Sequence, residues 1–144
     1  MNAISLYAKP STSFAQKLDA SKALLQSAAA KYSPLTQASS LGAEDMVVTH
    51  LIAETGIACS IFVLDTRMLH AQTLALVGRL EYRYDHKVDI YQPDPEVAKK
   101  FVAEFGKDAM YQSLELRKTC CDFRKMEPLA RALVGKQGDR KSVV

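Results

Sequence analysis

The stretch Ala38-Ser-Ser-Leu-Gly-Ala-Glu-Asp45, together with its flanks, limits the folds open to this chain more than any other feature. Leu35 to Ala38 reads as the end of a buried strand. Ser39 and Ser40 carry hydroxyls suited to a helix N-terminus, Gly42 permits close backbone approach, and Met46, Val47, Leu51 and Ile52 continue at helical spacing from about Glu44 to Thr55. A strand that runs into a helix through so short a turn aims free backbone N–H groups and the positive end of the helix dipole at one point. At the carboxyl end of a strand in a parallel sheet, such a point is a natural anion pocket. Alone, Ser-Ser-x-Gly before a helix is more often a plain cap and turn, so its meaning depends on the rest of the chain.

Beyond Thr55 the chain alternates strand and helix. Cys59-Ser-Ile-Phe-Val-Leu64 is a short, nearly continuous apolar run of the kind buried on both faces of a parallel sheet, with Cys59 a core residue. Asp65-Thr66-Arg67-Met68-Leu69-His70 leaves that strand and opens a helix whose inner face is Leu69, Leu76, Val77 and Leu80. Asp65 and Thr66 stand where α/β folds place ligand contacts, although residue type alone favours turn and cap. His70 in a first turn is more often structural than a ligand group, and His50 and His86 have less claim. Lys87 to Tyr91 alternates like a strand. Asp94 as N-cap and Pro95 at N1 start a helix that reaches Phe105 before Gly106 ends it. A short helical piece is expected from Asp108 to Leu116, and another from Pro128 to Leu133. Before all of this, a packing helix runs from Ser13, with Gln16 placed to complete a capping box, until Ser33-Pro34 stops it. Residues 1–10 read as a loose terminus. This order predicts a parallel sheet with helices on both faces.

A chain of 144 residues, 48% of them apolar, fits one domain with a real core. Its net charge of +3 is spread along the sequence, which argues against nucleic acid and against an anionic membrane while tolerating an anionic small ligand. No apolar run approaches the roughly 20 residues of a membrane span. The start lacks a charged region followed by an apolar one, so a cytoplasmic location is expected.

The three cysteines are Cys59, Cys120 and Cys121. An odd number with two adjacent does not make a secreted disulfide framework. Neighbouring cysteines strain to bond each other, because disulfides prefer Cα separations above the roughly 3.8 Å between neighbours on a trans peptide. Two readings stay open: an accidental pair in a helix, or two thiolates serving one metal centre, with Arg124 and Lys125 favouring the thiolates and holding an anion beside them. A cubic iron–sulfur cluster takes four cysteine ligands, and this chain offers two plus the distant Cys59.

Taken together, Ser39-Ser-Leu-Gly-Ala-Glu-Asp-Met46, Leu64-Asp-Thr66 with Leu69-His70, Gln92-Pro-Asp-Pro95, and Cys120-Cys121 with Arg124-Lys-Met-Glu-Pro-Leu129 fall in the order seen in assimilatory adenylyl-sulfate reductases, which this chain resembles from about Leu35 to Gln137. The resemblance implies an adenine-nucleotide α-hydrolase-like fold related to ATP pyrophosphatases, and thioredoxin-dependent reduction of adenylyl sulfate to sulfite and AMP. It places Ser39, Ser40, Leu41 and Gly42 in the nucleotide loop and Leu64, Asp65 and Thr66 beside the adenosine. It makes Cys120 and Cys121 two of the four ligands of a [4Fe-4S] cluster and sets Lys125 between that cluster and the substrate's sulfate and phosphate; Arg124 is counted with it among the substrate-binding candidates. A homo-oligomer is compatible with it.

The chain departs from the family at Arg67, where a glycine is usual, and at Gln72, where a glutamate is usual. Beyond Gln137 the family's next strand, its arginine-rich turn, its Cys-x-x-Cys pair and its C-terminal nucleophilic cysteine have no counterpart in this sequence. That pattern predicts an incomplete N-terminal part: a helical segment over 1–33, an unfinished nucleotide-binding domain over 34–137, and a non-matching tail over 138–144. No catalytic residue is expected in it, and the isolated chain is expected to be inactive. Phosphoadenylyl-sulfate reductase is the nearest alternative. An ATP-pyrophosphatase-type protein or a non-catalytic remnant are the others, the former lacking the second glycine and final serine of its phosphate loop.

Overall fold

The apolar run over 59–64 forms a strand covered on both faces, with Ile61, Phe62 and Val63 each at most 2% exposed. The structure, a computed structural model, describes residue 9 and residues 11–141. In chain order the elements are α1 (Phe14–Tyr32), β1 (Leu35–Ser39), α2 (Ala43–Thr55), β2 (Cys59–Leu64), α3 (Ala71–Tyr84), β3 (Val88–Tyr91) and α4 (Pro95–Phe105). A 3-10 turn (Ala109–Tyr111), α5 (Leu114–Cys121), a π turn (Asp122–Met126), α6 (Glu127–Leu133) and β4 (Gly138–Lys141) complete it. The four strands pair in parallel in the order β3-β2-β1-β4, so the expected α/β class holds.

Period-two alternation divides the core. Ile61 and Val63 face one way and pack with Val88, Leu41, Val77 and Leu80, with Met46 of α2 and Leu76 of α3 against them. Phe62 faces the other way onto Leu129 and Ala132 of α6, joined by Ala38, Leu64 and Tyr91. Each fully buried aliphatic side chain here stabilises the fold by roughly 1.5–3 kcal/mol. A third, smaller cluster stands apart from the sheet: Phe101 of α4, Ala109 of the 3-10 turn and Cys120 of α5, with Met110, Leu116 and Phe123.

Winding proceeds from β1 outward through β2 to β3, then returns to β4 on the far side of β1. The direction of winding therefore switches beside β1, and the carboxyl ends of strands at such a switch are where open α/β sheets bind ligands.

Several expectations are corrected. The expected loose terminus lies, save Lys9, outside the described residues. The capping box does not form: Ser13 is the N-cap of α1 but makes no side-chain cap bond, and its hydroxyl lies 3.4 Å from that of Ser11 instead. The packing face of α1 is only half-buried at Leu18, Leu25 and Ala28, while Phe14 and Tyr32 are exposed. An ion pair, Lys22 to Glu54 at 2.8 Å, ties α1 to α2 and holds the Glu54 carboxyl below its ordinary range. Leu69 precedes α3 rather than lying on its inner face. The helical piece over 108–116 is broken: only Ala109–Tyr111 turns as 3-10, and Ser113, whose hydroxyl accepts the Leu116 N–H at 3.1 Å, caps a new helix. Residues 138–141, within the stretch expected as a non-matching tail, form the strand β4. Gly138 to Lys141 pair with Leu35 to Ala38, and a Cβ at Gly138 would lie 2.7 Å from the Leu35 side chain, which would have to shift to admit it.

Candidate functional site at the carboxyl ends of the strands

The turn after β1 is held from inside. Ser39 Oγ accepts the Leu41 N–H (3.1 Å) and Ser40 Oγ accepts the Gly42 N–H (3.2 Å). The Ser40 N–H and hydroxyl both donate to Asp45 Oδ2, at 2.7 and 2.6 Å. Asp45 is 1% exposed, and its main chain is pinned in turn: Gln37 Nε2 donates to the Asp45 carbonyl, and Thr49 Oγ1 donates to Gln37 Oε1, each at 2.9 Å. Gln37 and Thr49 are buried as completely. A connected buried polar chain of this kind rigidifies what it carries, because breaking any link leaves a buried group unsatisfied.

This geometry moves the expected anion donors. The N–H groups of Ser40, Leu41 and Gly42 are spent within the turn. α2 begins at Ala43, with Gly42 as a cap that supplies no side-chain bond, and its first helical bond runs from Met46 N–H to the Gly42 carbonyl at 3.0 Å. The groups left to face a ligand are the N–H donors of Ala43, Glu44 and Asp45, at the positive end of the helix. Gly42 is suited to its place, since a Cβ there would press to 3.1 Å from Ser40 Oγ.

The neighbouring turn, after β2, uses the same device. Asp65 Oδ1 accepts the Arg67 N–H at 2.9 Å and Thr66 Oγ1 accepts the Met68 N–H at 3.3 Å. Asp65 Oδ2 accepts from Gln92 Nε2 at 2.9 Å, which joins this turn to the residue just past β3. The departure at Arg67 does not prevent the turn, for Arg67 itself takes the left-handed conformation at φ 61°. Gln72 lies exposed in the first turn of α3, outside this network.

Arg124, in the π turn, reaches the turn after β2. Its Nη1 donates to the Thr66 carbonyl at 2.7 Å, its guanidinium lies 5.0 Å from the Phe123 ring centroid, and its Nε is buried with no acceptor among the described residues. The guanidinium is thus held by a neutral carbonyl and keeps one buried donor unpaired among the described residues.

Of the residues that sequence reasoning singles out, Ser39, Ser40, Leu41, Gly42, Asp65 and Thr66 thus lie at the ends of adjacent strands, and Arg124 reaches the second of these turns through the Thr66 carbonyl. Leu64 is half-buried and packs toward α6 with Phe62 and Leu129. Lys125 is exposed and makes no hydrogen bond or ion pair among the described residues. Sequence reasoning assigns no role to Asp45, Gln37 or Gln92. For Asp45 a signal exists, an acidic residue in the first turn five positions after a serine; for Gln37 and Gln92 nothing local marks the pairing.

The cysteines do not gather. Cys120 is 5% exposed, inside the cluster of Phe101 and Ala109, whereas its neighbour Cys121 is half-buried. No three or more His, Cys, Asp or Glu side chains converge in a way that could hold a metal ion among the described residues. The residues described do not fit a complete four-thiolate cluster. Cys59 lies in the core, where burial pushes its thiol up to about 11, against a smaller opposing pull from Lys136. Such a thiol is a poor nucleophile at neutral pH. No described helix is long and apolar enough to cross a membrane.

Comparison with known proteins agrees with this geometry. Residues 34–142 match the phosphoadenosine phosphosulfate reductase domain. An adenosine 5'-phosphosulfate reductase of Burkholderia cepacia is 43% identical over 119 residues, covering 83% of this chain and 48% of that protein. One from Neisseria meningitidis serogroup A is 44% identical over 125 residues, 86% of this chain and 51% of that protein. The chain thus spans about half the length of the curated relatives it matches. Its fold is similar, at a TM-score of 0.70 and 22% identity, to a crystal structure of phosphoadenylyl-sulfate (PAPS) reductase from Candida auris in a phosphate complex, with 93% of this chain and 70% of that one covered. By residues 34–142 and the fold they form, this chain belongs to the phosphoadenosine phosphosulfate reductase domain family.

Proposed function

We propose that the chain supplies the nucleotide-binding part of a cytoplasmic, thioredoxin-dependent adenylyl-sulfate reductase, the enzyme class that yields sulfite and AMP. The single observation that carries this reading is Arg124, whose guanidinium reaches the Thr66 carbonyl and keeps a buried Nε–H without an acceptor among the described residues. In this reading the N–H groups of Ala43, Glu44 and Asp45 bind one anionic oxygen set of the ligand and Arg124 binds another. The turns of Ser39 to Gly42 and Leu64 to Thr66 set the spacing between them. Adenylyl sulfate is preferred to phosphoadenylyl sulfate because the 43% and 44% identical relatives carry the former name.

Attack on the substrate's sulfur belongs to a nucleophile outside these residues, since Cys59 is buried with its thiol pushed up. In this reading Cys120 and Cys121 supply half of the thiolates of a [4Fe-4S] cluster, and the binding step needs none of it. Titration calorimetry with AMP and with adenylyl sulfate tests the reading. Arg124→Ala should weaken both at least tenfold, as loss of a charge-assisted contact of about 1.5–3 kcal/mol requires. Unchanged affinity in a folded Arg124→Ala variant overturns the reading.

A further inference from the structure

Between Leu114 and Leu133 the backbone stays helical but does not keep one register. α5 ends at Cys121, the π turn occupies Asp122–Met126, and α6 resumes at Glu127. The turn is closed by the Glu127 N–H, which donates to the Asp122 carbonyl five residues back. Turns of this kind are rare and recur at functional sites, and this one carries Arg124 and Lys125.

The next residue explains it. In an α-helix the nitrogen of residue 128 donates to the carbonyl of residue 124. Pro128 has no hydrogen to donate, and its ring presses on that carbonyl. Widening the preceding turn by one residue relieves the pressure. Both flanks are anchored independently: Cys120 and Phe123 sit in the cluster with Phe101, whose ring centroid is 5.1 Å from that of Phe123. Leu129 and Ala132 sit on Phe62 of the sheet, and Pro128 itself is fully buried beside them. One residue of register is worth about 100° of rotation about the helix axis. A turn that tightened to α would swing Arg124 away from the Thr66 carbonyl, or else unseat one flank.

We infer that Pro128 is a positioning residue for the anion site: by denying the Arg124 carbonyl its helical hydrogen bond it fixes the π turn, and the π turn aims the Arg124 guanidinium at the end of β2. The consequence for ligands rests on the nucleotide-binding reading above. The aim of Arg124 does not.

The test uses the full 144-residue chain. Pro128→Ala and Pro128→Val both restore an N–H, the second while keeping the volume filled. They are compared with Arg124→Ala and with the double variant Pro128→Ala/Arg124→Ala, by AMP calorimetry, thermal melting and hydrogen exchange at Arg124 Nε. Both Pro128 variants should melt cooperatively, exchange the Arg124 Nε proton faster than the parent, and bind AMP about tenfold more weakly. Pro128→Ala should cause no further loss once Arg124 is alanine. An equal loss in that background, or loss of cooperative melting in both Pro128 variants, makes Pro128 a packing residue and overturns the inference. So does parental AMP affinity in a folded Pro128 variant when Arg124→Ala has lost it. Unchanged AMP affinity in Arg124→Ala itself overturns the nucleotide reading instead. Exchange at Arg124 Nε then decides alone, and exchange as slow as in the parent overturns the inference.

Discussion

At the end of β1, Ser39 and Ser40 each accept the N–H two residues ahead, and at the end of β2, Asp65 and Thr66 do the same. In each turn the third residue is left-handed without being glycine: Leu41 at φ 63° and Arg67 at φ 61°. The side chains differ completely. Leu41 is 5% exposed and part of the main core, whereas Arg67 is exposed. A left-handed L-residue costs roughly 1–2 kcal/mol. Burial of a leucine, worth roughly 1.5–3 kcal/mol, offsets that at residue 41. At residue 67 no burial does so, and the conformation is held by Asp65, which in turn is held by Gln92. Both turns are held by hydrogen bonds to a buried carboxylate, Asp45 or Asp65, and the first alone is also fastened by its left-handed residue in the core.

The largest effect should come from the fastening beneath the first turn. Asp45→Ala removes two charge-assisted bonds to Ser40, each worth about 1.5–3 kcal/mol, so a loss near 4 kcal/mol is expected in chemical denaturation. A loss below about 1 kcal/mol would show that the buried network does not hold this turn. Next come two identical substitutions with opposite signs. Leu41→Gly relieves the backbone strain but empties a core position, and a net loss of about 2 kcal/mol is expected. Arg67→Gly relieves the same strain with nothing buried to lose, and a gain of up to about 1 kcal/mol is expected, reduced by the greater freedom of glycine in the unfolded chain. Effects of equal sign at the two positions would break the distinction between them.

Much of this is legible in the residues. The run from Cys59 to Leu64 is apolar enough to admit no other place than a central strand. Asp94 and Pro95 begin α4 as capping chemistry requires, with Asp94 Oδ1 accepting the Glu96 N–H at 2.8 Å. The family resemblance points to the two turns and to Arg124. What stays hidden depends on tertiary partners. Ser13 and Gln16 have the composition of a capping box, yet no bond between them forms. The serine turn looks like a phosphate cradle until Asp45, folded back from α2, takes the donors of Ser40. The strand over 138–141 has little strand character, with Gly138 and Asp139 in it, and exists because the edge of β1 accepts it. The π turn is invisible to any pattern of period 3.6, although Pro128 is its written cause.

Nitrogen-resolved NMR of the chain titrated with AMP tests the central claim most directly, since the site is defined by named N–H groups. The amides of Ala43, Glu44 and Asp45 and the Arg124 Nε–H should move most. The amides of Ser40, Leu41 and Gly42, already bonded within the turn, should move less. Shifts confined to residues away from the strand ends, for instance the surface hollow lined by Tyr111, Ser113 and Arg117, would contradict the account.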